Sequence, residues 1–534
     1  MKRFFNVKAL VLSFVFLTAI SLPGTVKGQV YKKVTSTPAS WNGTYLIVYE
    51  SGQKIAGGKS DQGNYLHGVG AVINNQTITG DYSACEVIVA GDNIKRGDTC
   101  LYHQTTGSNN FSCWFYNNSN CTKWSYSTDG ISYSSIVSIK WYSSFFRCTH
   151  VNGTKAVLYR RQPEKKEILG AGTEDNNRYY LIASPVTTLT PSTDNGFLRE
   201  DGDVDYYDLY SFDQSNDDEW RNYKASSFNL VSGKGYLYAN KDDVALVFDG
   251  AFRYRKNMTV NLAYTAGKKL AGWNLIGNPY DVTAYLTDGR DFYRMNAAGD
   301  GFEAASGSIN KMEGVFVQAT GTGQSVTFTT TAPSSKDANN QRVELNIIGS
   351  DDNVIDRAIV RFGEGGTLSK LVFRENNTKI YIPKADGDYA VVRSNGLKNI
   401  PVNFKASKMG RYTITVETEG LNLNYLHLID RLTEEDIDLL KENKYSFIAS
   451  TVDNEARFVL AFSANGDDDV YETFAYQSGS DIIVRGEGEL QIFDVMGRMV
   501  ATHHVSGVET LEKPSSNGVY IFRLNEKVQK IVVK

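Results

Sequence analysis

Short aromatic segments of strand length recur along almost the whole sequence and constrain its fold more than any other feature. Typical examples are YYLIASPV at 179–186, YYDLYSFD at 206–213 and WNLIGNPY at 273–280, with turn-forming residues at or near their ends. The chain contains 32 Tyr, 26 Phe and 47 Gly but only 10 Pro. Aromatic residues favour strands, and Gly, Asn and Asp favour turns. The sequence therefore predicts an all-β protein of tandem β-sandwich or jelly-roll-like domains.

Changes in this pattern divide the 534 residues into a leader and four domains. The predicted boundaries are a signal peptide at 1–28, an aromatic- and cysteine-containing β domain at 29–165, a β domain at 175–333, a β-sandwich domain at 340–465 and a small β domain at 470–534. Polar segments at 163–167, 333–340 and 465–469 are predicted linkers. The β-sandwich domain contains one helical signal, TEEDIDLL at 433–440, where Thr433 and Asp436 have the spacing of a capping box.

The first 28 residues have the organisation of a secretory signal peptide. Lys2, Arg3 and Lys8 precede an apolar run at 9–20, and a helix-breaking Leu-Pro-Gly follows at 22–24. A membrane-spanning helix needs about 20 apolar residues, so a cleaved signal is favoured over an uncleaved anchor. No later stretch reaches that length, so we expect a secreted or cell-surface protein without a transmembrane segment.

The C-terminal end consists of three short strand-like segments: LQIFDVMGRMV at 490–500, GVYIFRL at 518–524 and KVQKIVVK at 527–534. A hydrophobic strand ending in D-x-x-G-R, a Gly-Val-Tyr strand and a Lys-flanked final strand resemble the C-terminal sorting domain of the type IX secretion system of the Bacteroidota. The residues that carry this resemblance are Asp494, Gly497, Arg498, Gly518, Val519, Tyr520 and Lys534.

This resemblance implies a destination and a set of partners. It implies that 470–534 is a small Ig-like β-sandwich that acts as the sorting signal, and that the protein crosses the periplasm to the outer cell surface. The implied partners are the type IX secretion machinery and its sortase. The body of the chain would then be attached to surface lipopolysaccharide or released.

Further segments resemble modules of Bacteroidota surface proteins. They lie at 41–50, 180–186, 273–279, 388–392 and 425–430. This second resemblance implies accessory and binding modules rather than an enzyme domain.

Cysteines occur only in the first of the four domains. They are Cys85, Cys100, Cys113, Cys121 and Cys148. An exported chain passes through an oxidising compartment, so one or two disulfides are one interpretation and buried small hydrophobic side chains are the other. Because there is no Cys-x-x-Cys, the spacing does not indicate a zinc site.

Charge and motifs exclude several classes of function. Lys and Arg total 56 against 60 Asp and Glu, and no basic run occurs, so nucleic-acid binding is not expected. The sequence contains neither H-E-x-x-H nor G-x-S-x-G, and we predict no catalytic residues. Two alternatives to a binding protein remain open. One is an extracellular hydrolase of polysaccharide or peptide with an unrecognised site, and the other is a structural spacer.

One acidic stretch has the beginning of a calcium loop. Asp201, Asp203 and Asp205 form D-x-D-x-D, but Tyr206 and Phe212 stand where an EF-hand needs Gly and Glu. A solvated acidic turn is therefore favoured. We predict no cofactor or metal, with calcium at these three aspartates as the weaker alternative.

Aromatic residues of the first domain give the best candidate site. They are Trp114, Tyr116, Trp124, Tyr126 and Trp141, and they lie among Asn, Ser and Thr. Flat sugar faces stack on such rings, so an exposed aromatic row would bind glycans. Core packing is favoured over a glycan site, because Trp124 and Tyr126 share one strand face, which can be the buried face. The leading functional hypothesis is a non-catalytic adhesin or glycan-binding surface protein, with a host protein as the alternative ligand.

Overall fold

The β-strand is the main secondary structure of this molecule. The computed structural model describes residues 28–61, 63–106, 110–117, 121–135, 137–150, 153–170, 178–199, 206–332, 341–349, 353–363, 366–462, 474–478, 481–525 and 527–533. Strands make up 55% of the chain, and the described residues contain no α-helix, so the predicted all-β class is confirmed. One 3-10 turn occurs at Ser83–Cys85. No helix that could span a membrane is found within these ranges.

Two compact units divide the chain, Met1–Gln162 and Pro163–Lys534. The first unit contains one 16-stranded sheet. Its strands are β1 (Gln29–Lys33), β2 (Gly43–Tyr49), β3 (Lys54–Lys59), β4 (Leu66–Gly70), β5 (Ile73–Asn74), β6 (Thr77–Gly80), β7 (Val87–Ala90), β8 (Asn93–Arg96), β9 (Thr99–Thr106), β10 (Asn110–Tyr116), β11 (Ser125–Ser127), β12 (Gly130–Ser132), β13 (Ser138–Tyr142), β14 (Phe145–Thr149), β15 (Thr154–Lys155) and β16 (Val157–Arg161).

The sheet of the first unit curls back on itself. Its main path runs β10-β9-β8-β7-β2-β3-β4-β14-β13-β12-β11. β10, at one end of this path, also lies against β14, so the sheet is close to a closed barrel. The barrel interior is one hydrophobic core around Ile47, Leu101 and Phe146, and a smaller core around Tyr31 and Val48 covers the other face of β2.

The five cysteines of this unit are present both as a disulfide and as free thiols. Cys100 and Cys121 form a disulfide, and Cys85, Cys113 and Cys148 are buried thiols. Burial raises the pKa of Cys148, and a hydrogen bond with Cys113 raises this pKa further. Both interpretations of the sequence therefore apply, one to the disulfide pair and the other to the three buried thiols.

The second unit begins with fifteen short strands in five small sheets. They are β17 (Glu164–Ile168), β18 (Tyr180–Ala183), β19 (Thr188–Leu189), β20 (Tyr207–Phe212), β21 (Trp220–Asn222), β22 (Leu230–Val231), β23 (Gly235–Asn240), β24 (Val244–Phe248), β25 (Met258–Asn261), β26 (Trp273–Gly277), β27 (Tyr285–Leu286), β28 (Phe292–Met295), β29 (Phe302–Ala305), β30 (Gly314–Gln318) and β31 (Ser325–Thr329). The sheets are β17-β24, β18-β23-β20-β21, β19-β22, β25-β31-β27 and β26-β30-β28-β29.

The segment at 163–167 is not the linker that its composition predicted. Residues Glu164–Ile168 form β17, which pairs antiparallel with β24. Burial alternates along β17, so that Lys166 and Ile168 turn inward while Lys165 is exposed. Because most residues of this segment are charged, its sequence shows no alternation of apolar and polar residues, and the two-residue period of a strand was not recognised. The other two predicted linkers, 333–340 and 465–469, lie outside the described residues, as does almost all of the predicted signal peptide.

The next region of the second unit forms one 11-stranded sheet. Its strands are β32 (Arg342–Ile348), β33 (Val354–Phe362), β34 (Leu368–Ser369), β35 (Lys379–Lys384), β36 (Gly387–Ser394), β37 (Ile400–Lys405), β38 (Gly410–Glu419), β39 (His427–Asp430), β40 (Glu435–Asp438), β41 (Lys444–Ala449) and β42 (Phe458–Ala461). The order is β40-β39-β42-β37-β35-β36-β33-β32-β38-β41, with β34 beside β36. β33 and β36 run parallel, and the other pairs among these described strands are antiparallel.

The helical signal at 433–440 was wrong. This segment is a turn followed by β40, which pairs antiparallel with β39. Glu434 has φ +63°, a left-handed conformation that ends any helix at this point. Asp436 does not cap a helix; its carboxylate lies 2.7 Å from Nδ1 of His427 on the partner strand.

The regions 163–332 and 341–462 share a hydrophobic core. Trp273 and Phe316 from the first region pack in one cluster with Ile359, Leu371 and Val391 from the second. The cluster contains edge-to-face aromatic pairs such as Trp273 with Phe316, whose ring centroids are 6.5 Å apart.

Polar contacts cross the same boundary. The Arg361 guanidinium forms a buried ion pair with the Asp291 carboxylate at 2.5 Å. The Tyr293 hydroxyl donates to the Ser369 carbonyl at 3.2 Å and accepts from the Leu371 N–H at 3.1 Å. These two regions therefore bury polar groups, as well as apolar surface, against each other.

The C-terminal region is a five-stranded antiparallel sheet. Its strands are β43 (Ala475–Ser478), β44 (Asp481–Asp494), β45 (Met499–Glu512), β46 (Gly518–Leu524) and β47 (Lys527–Val533). β45 pairs along the whole of β44, while β43 and β46 pair with successive parts of its other edge. Between those parts, Gly486 has φ +139°, and a Cβ there would lie 2.6 Å from Leu524 Cδ2. Glycine thus allows the sheet to fold over its core.

Candidate functional site

The β9–β10 hairpin brings three aromatic rings together at the edge of the curled sheet. Trp114 and Tyr116 are two residues apart on β10 and so share a face. Trp114 lies opposite Tyr102 in the register, and Tyr116 lies opposite Cys100. The ring centroids of Tyr102, Trp114 and Tyr116 are 5.7 to 6.3 Å apart. We call these three residues the Tyr–Trp cluster.

A disulfide anchors the strand beneath this cluster. Cys100, the cross-strand neighbour of Tyr116, is bonded to Cys121, which follows β10 in the chain. The cross-link ties β9 to the segment that leaves the hairpin. It therefore restricts relative motion of the two strands that carry the rings.

Arg96 fixes the hairpin from its other face. Its guanidinium lies 4.2 Å from the ring centroid of Phe115, the residue between Trp114 and Tyr116. The same group donates hydrogen bonds to the carbonyls of Gly57 at 2.7 Å and Cys85 at 2.9 Å. The hairpin is thus attached to the barrel on the side opposite the Tyr–Trp cluster.

Tyr116 is one of three strongly exposed aromatic side chains among the residues whose burial is described. The exposed fractions are 50% for Tyr116, 48% for Tyr133 and 41% for Tyr142. His103 stacks against the ring of Tyr133 at 4.5 Å, and the Arg147 guanidinium lies 3.4 Å from the centroid of Tyr142. Within the described part of the chain, Tyr116 makes only tilted and edge-on ring contacts, with Tyr102 and Trp114. Its ring face is therefore the one best placed to stack with a ligand.

The other aromatic residues singled out in the sequence lie elsewhere in the first unit. Trp124 is 2% exposed, and its Nε1 donates to the Leu101 carbonyl at 3.1 Å. Tyr126 is half-buried, and desolvation, followed by the nearby Asp92 charge, raises its pKa. Trp141 is half-buried and stacked on Tyr49 at 5.3 Å. All three contribute to the hydrophobic core, as does Trp114, which is 9% exposed. Core packing, the favoured expectation from the sequence, therefore applies to four of the five predicted residues, and Tyr116 is the exception.

Sequence reasoning brought out Trp114 and Tyr116 but missed Tyr102. Tyr102 precedes them by more than ten residues and becomes their neighbour only through the register of the β9–β10 hairpin. The available signal was the pair of aromatic, alternating segments on either side of a polar turn, which is typical of a hairpin. Gln104, exposed on the same face of β9 as Tyr102, was missed for the same reason.

The structure offers no candidate metal centre in its described part. The acidic stretch Asp201, Asp203 and Asp205 lies outside the described residues. Elsewhere, no group of three or more His, Cys, Asp or Glu side chains in the described ranges could hold a metal ion.

Residues of the proposed sorting motif build a turn and two paired strands. The Asp494 carboxylate accepts hydrogen bonds from the Met496 and Arg498 N–H groups and from Arg498 Nε at 2.8–3.0 Å. The hydrogen bond from the Arg498 backbone, with the others, holds the pKa of Asp494 below its usual value. Gly497 has φ +77°, which lets the turn close between β44 and β45.

The second half of the motif lies directly beside the first. Tyr520 is the cross-strand neighbour of Asp494, and Gly518 and Val519 begin the same strand, β46. The buried Tyr520 donates its hydroxyl to the Ser516 carbonyl at 2.9 Å. These motif residues therefore have local structural roles in turn and strand formation. Lys534 lies outside the described residues.

Comparisons with known proteins do not place this chain in a family. No family model matches it, and no curated protein matches it. A solved structure described as "Biofilm associated protein - BSP domain" aligns with 93% of this chain and 91% of that chain, at 8% sequence identity and a TM-score of 0.12. A TM-score this low carries no argument about fold or function.

Proposed function

We propose that this protein is an exported, non-catalytic binding protein whose first unit binds glycans at the Tyr–Trp cluster. The observation that carries the proposal is the free face of Tyr116, which is 50% exposed beside Trp114 and Tyr102. An exposed ring beside other aromatic side chains offers a flat apolar face, and such a face matches the C–H face of a sugar.

Polar groups for sugar hydroxyls lie within the same surface. The Gln104 side chain is exposed on the face of β9 that carries Tyr102, and an amide both donates and accepts hydrogen bonds. The flat face of a sugar would stack on the Tyr116 ring, and hydrogen bonds from its hydroxyls to Gln104 would fix the orientation of the sugar. The arrangement is shallow rather than a deep pocket with converging acids, which suits binding without cleavage.

The destination proposed for the protein is the outer cell surface, by way of the type IX secretion system. Support comes from the resemblance of the last segments to the sorting domain of that system, and from the signal-peptide pattern of the first 28 residues. In this proposal the machinery and its sortase act on residues 470–534, and the body is then attached to lipopolysaccharide or released.

A truncation tests the export proposal. Deletion of Gly518–Lys534 should leave the protein in the periplasm, measured by fractionation and surface labelling. Because the deletion also removes β46 and β47, residues 474–534 fused to a periplasmic reporter serve as a second measurement, and the reporter should reach the surface. Normal surface delivery of the truncated protein would rule out the sorting role.

A glycan and mucin array with the full chain tests the binding proposal, with released reducing ends assayed in the same wells. Binding without release is the expected result. Release of sugar would replace the proposal with the hydrolase alternative. Absence of both would exclude a glycan ligand of the types displayed and favour a protein ligand or a spacer.

A further inference from the structure

A cavity of about 200 Å³ lies in the second unit, far in sequence from the Tyr–Trp cluster. Its walls come from β17, from the segment that leads into β18, and from the turns after β28 and before β30. Residues used in the argument below are Lys166, Arg178, Asn296, Asn310 and Glu313. The volume is below the roughly 300–1,000 Å³ of sites for drug-sized ligands, so only a small molecule fits.

Lys166 brings an unpaired positive charge into this cavity. The alternation of β17 turns Lys166 inward, while Lys165 faces solvent. Lys166 has no hydrogen-bond or ion-pair partner among the residues that the structure describes. Burial lowers the pKa of Lys166; the Glu313 charge partly offsets this shift, and the Lys311 charge adds to it. A half-buried ammonium without a partner loses part of its hydration at a cost, and an anionic ligand would offset that cost.

Arg178 adds a second cation that no carboxylate of the described residues neutralises. Its Nε donates to the Ala298 carbonyl at 3.3 Å, and its Nη2 donates to the Ala297 carbonyl at 3.0 Å. These bonds hold the guanidinium in place and leave its other N–H groups for a ligand. The two carbonyls therefore hold Arg178 in position, but they do not neutralise its positive charge.

The Glu313 carboxylate, which lines the cavity, already has partners within the protein. Glu313 forms an ion pair with Arg294, whose Nε lies 3.0 Å from the carboxylate. The carboxylate also accepts hydrogen bonds from Arg294 Nη2 at 3.2 Å and from the Asn310 N–H at 2.6 Å. Lys311 in turn pairs with Glu164 at 3.0 Å. Glu313 and Lys311 therefore each have an ion-pair partner, whereas Lys166 and Arg178 have none among the described residues.

The wall beside Arg178 is rigid. The Asn296 side chain accepts the N–H groups of Gly299 at 2.9 Å and Gly301 at 3.2 Å, which closes the turn after β28. Gly299 has φ +77°, and a Cβ there would lie 2.6 Å from Cγ of Arg178. The turn thus fixes the position of Arg178 in advance of any ligand, which lowers the entropic cost of binding.

We propose that this cavity is a binding site for a small organic carboxylate, with Lys166 and Arg178 as its cationic partners. An ammonium and a guanidinium that line the same small cavity are suited to a single oxyanion. A singly charged carboxylate suits the site better than a doubly charged phosphate, because the Glu313 carboxylate lines the same cavity. The carboxylate can belong to an acidic sugar or to a short hydroxy acid. This proposal does not depend on glycan binding at the Tyr–Trp cluster.

Isothermal titration of the full chain tests the proposal. The probes are glucuronate and lactate as the two carboxylates, glucose as the neutral analogue of glucuronate, and inorganic phosphate. We expect at least one carboxylate to bind. Glucose should give no heat of binding, and phosphate should bind with lower affinity than that carboxylate. The tighter of the two carboxylates identifies the source of the ligand.

Three variants locate the binding. Lys166→Gln should weaken carboxylate binding by about tenfold or more, since it removes a charge-assisted contact. Lys165→Gln, one residue away on the exposed side of β17, should change it by less than about twofold. Lys166→Arg, which keeps the charge, should retain more binding than Lys166→Gln and controls for loss of folding. The proposal is overturned by silence with both carboxylates, by equal binding of glucose, by tighter binding of phosphate, or by equal losses in the Lys165 and Lys166 variants.

Discussion

Both compact units pack aromatic rings in their cores, but only the first unit exposes some strongly among the residues whose burial is described. In the first unit, Tyr116 presents its ring at the surface, beside Trp114, which is only 9% exposed. In the second unit, Trp273, Phe302 and Phe316 pack edge to face or tilted inside a core that two regions share. An aromatic-rich composition therefore does not identify a binding surface. The position of a ring relative to the strand edge, and the groups that cover its face, decide its role.

The comparison also distinguishes how the two units are held together. A covalent bond between Cys100 and Cys121 anchors the hairpin of the first unit. The shared core of the second unit is joined by the buried pair of Asp291 and Arg361. Removing the disulfide should therefore destabilise the first unit, and removing the buried ion pair should destabilise the second.

The largest expected loss of stability follows removal of the buried ion pair. Arg361→Met should lower the free energy of unfolding of the second unit by about 3–5 kcal/mol, because it leaves the Asp291 carboxylate buried without its partner. Urea denaturation measures this loss. Arg290→Met, which breaks the partly exposed pair of Arg290 and Asp288, is the matched control and should cost less than about 1 kcal/mol. Similar losses in both variants would show that the shared core does not depend on the buried pair.

A smaller loss should follow removal of the disulfide. The double change Cys100→Ser and Cys121→Ser should lower the stability of the first unit by about 2–4 kcal/mol, since the cross-link closes a loop with a sequence separation of 21 residues. Thermal unfolding followed by tryptophan fluorescence checks this. The same change should weaken ligand binding at the Tyr–Trp cluster; unchanged binding would show that the hairpin holds its shape without the bond.

Acid should weaken the second unit in part through Asp430. Burial alone would raise the pKa of Asp430, but the hydrogen bonds and charge of Arg457 outweigh it and the pKa is lowered. A lowered folded-state pKa contributes stability that is present above the unfolded pKa of about 3.9 and is lost as pH falls through the folded value. The free energy of unfolding should therefore fall below about pH 4, and Asp430→Asn should reduce that slope. An equal slope in wild type and variant would contradict this assignment.

The smallest expected change in stability belongs to the residue with the proposed largest effect on binding. Tyr116→Ala should alter the free energy of unfolding by less than about 1 kcal/mol, because half of the side chain is already exposed. Trp124→Ala, in the core of the same unit, should cost about 3–5 kcal/mol by chemical denaturation. If the two substitutions cost the same, the distinction between surface and core aromatics in the first unit fails.

Part of this architecture could be predicted from local sequence. Aromatic and β-branched alternation indicated the all-β class, because the two-residue period of a strand is visible in any short window. Two local signals misled. The charges of 163–167 suggested a linker where β17 lies, and the capping-box spacing at 433–440 suggested a helix where Glu434 adopts φ +63°.

The candidate sites needed information that no local window contains. Tyr102 joins Trp114 and Tyr116 only through hairpin register. Lys166 faces its cavity only because β17 pairs with β24 and the turn carrying Glu313 comes alongside, nearly 150 residues later. Such contacts depend on pairings between distant segments, which periodicity and composition do not specify.

The most direct test of the proposed role for the Tyr–Trp cluster is the dissociation constant of the full chain for the tightest glycan found on the array. It should be measured for wild type, Tyr116→Ala and Tyr142→Ala. We expect Tyr116→Ala to weaken binding by about tenfold or more, and Tyr142→Ala, whose ring face the Arg147 guanidinium already covers, to weaken it by less than about twofold. Equal affinity in all three proteins, or a greater loss in Tyr142→Ala, would contradict the assignment of the ligand site to the Tyr–Trp cluster.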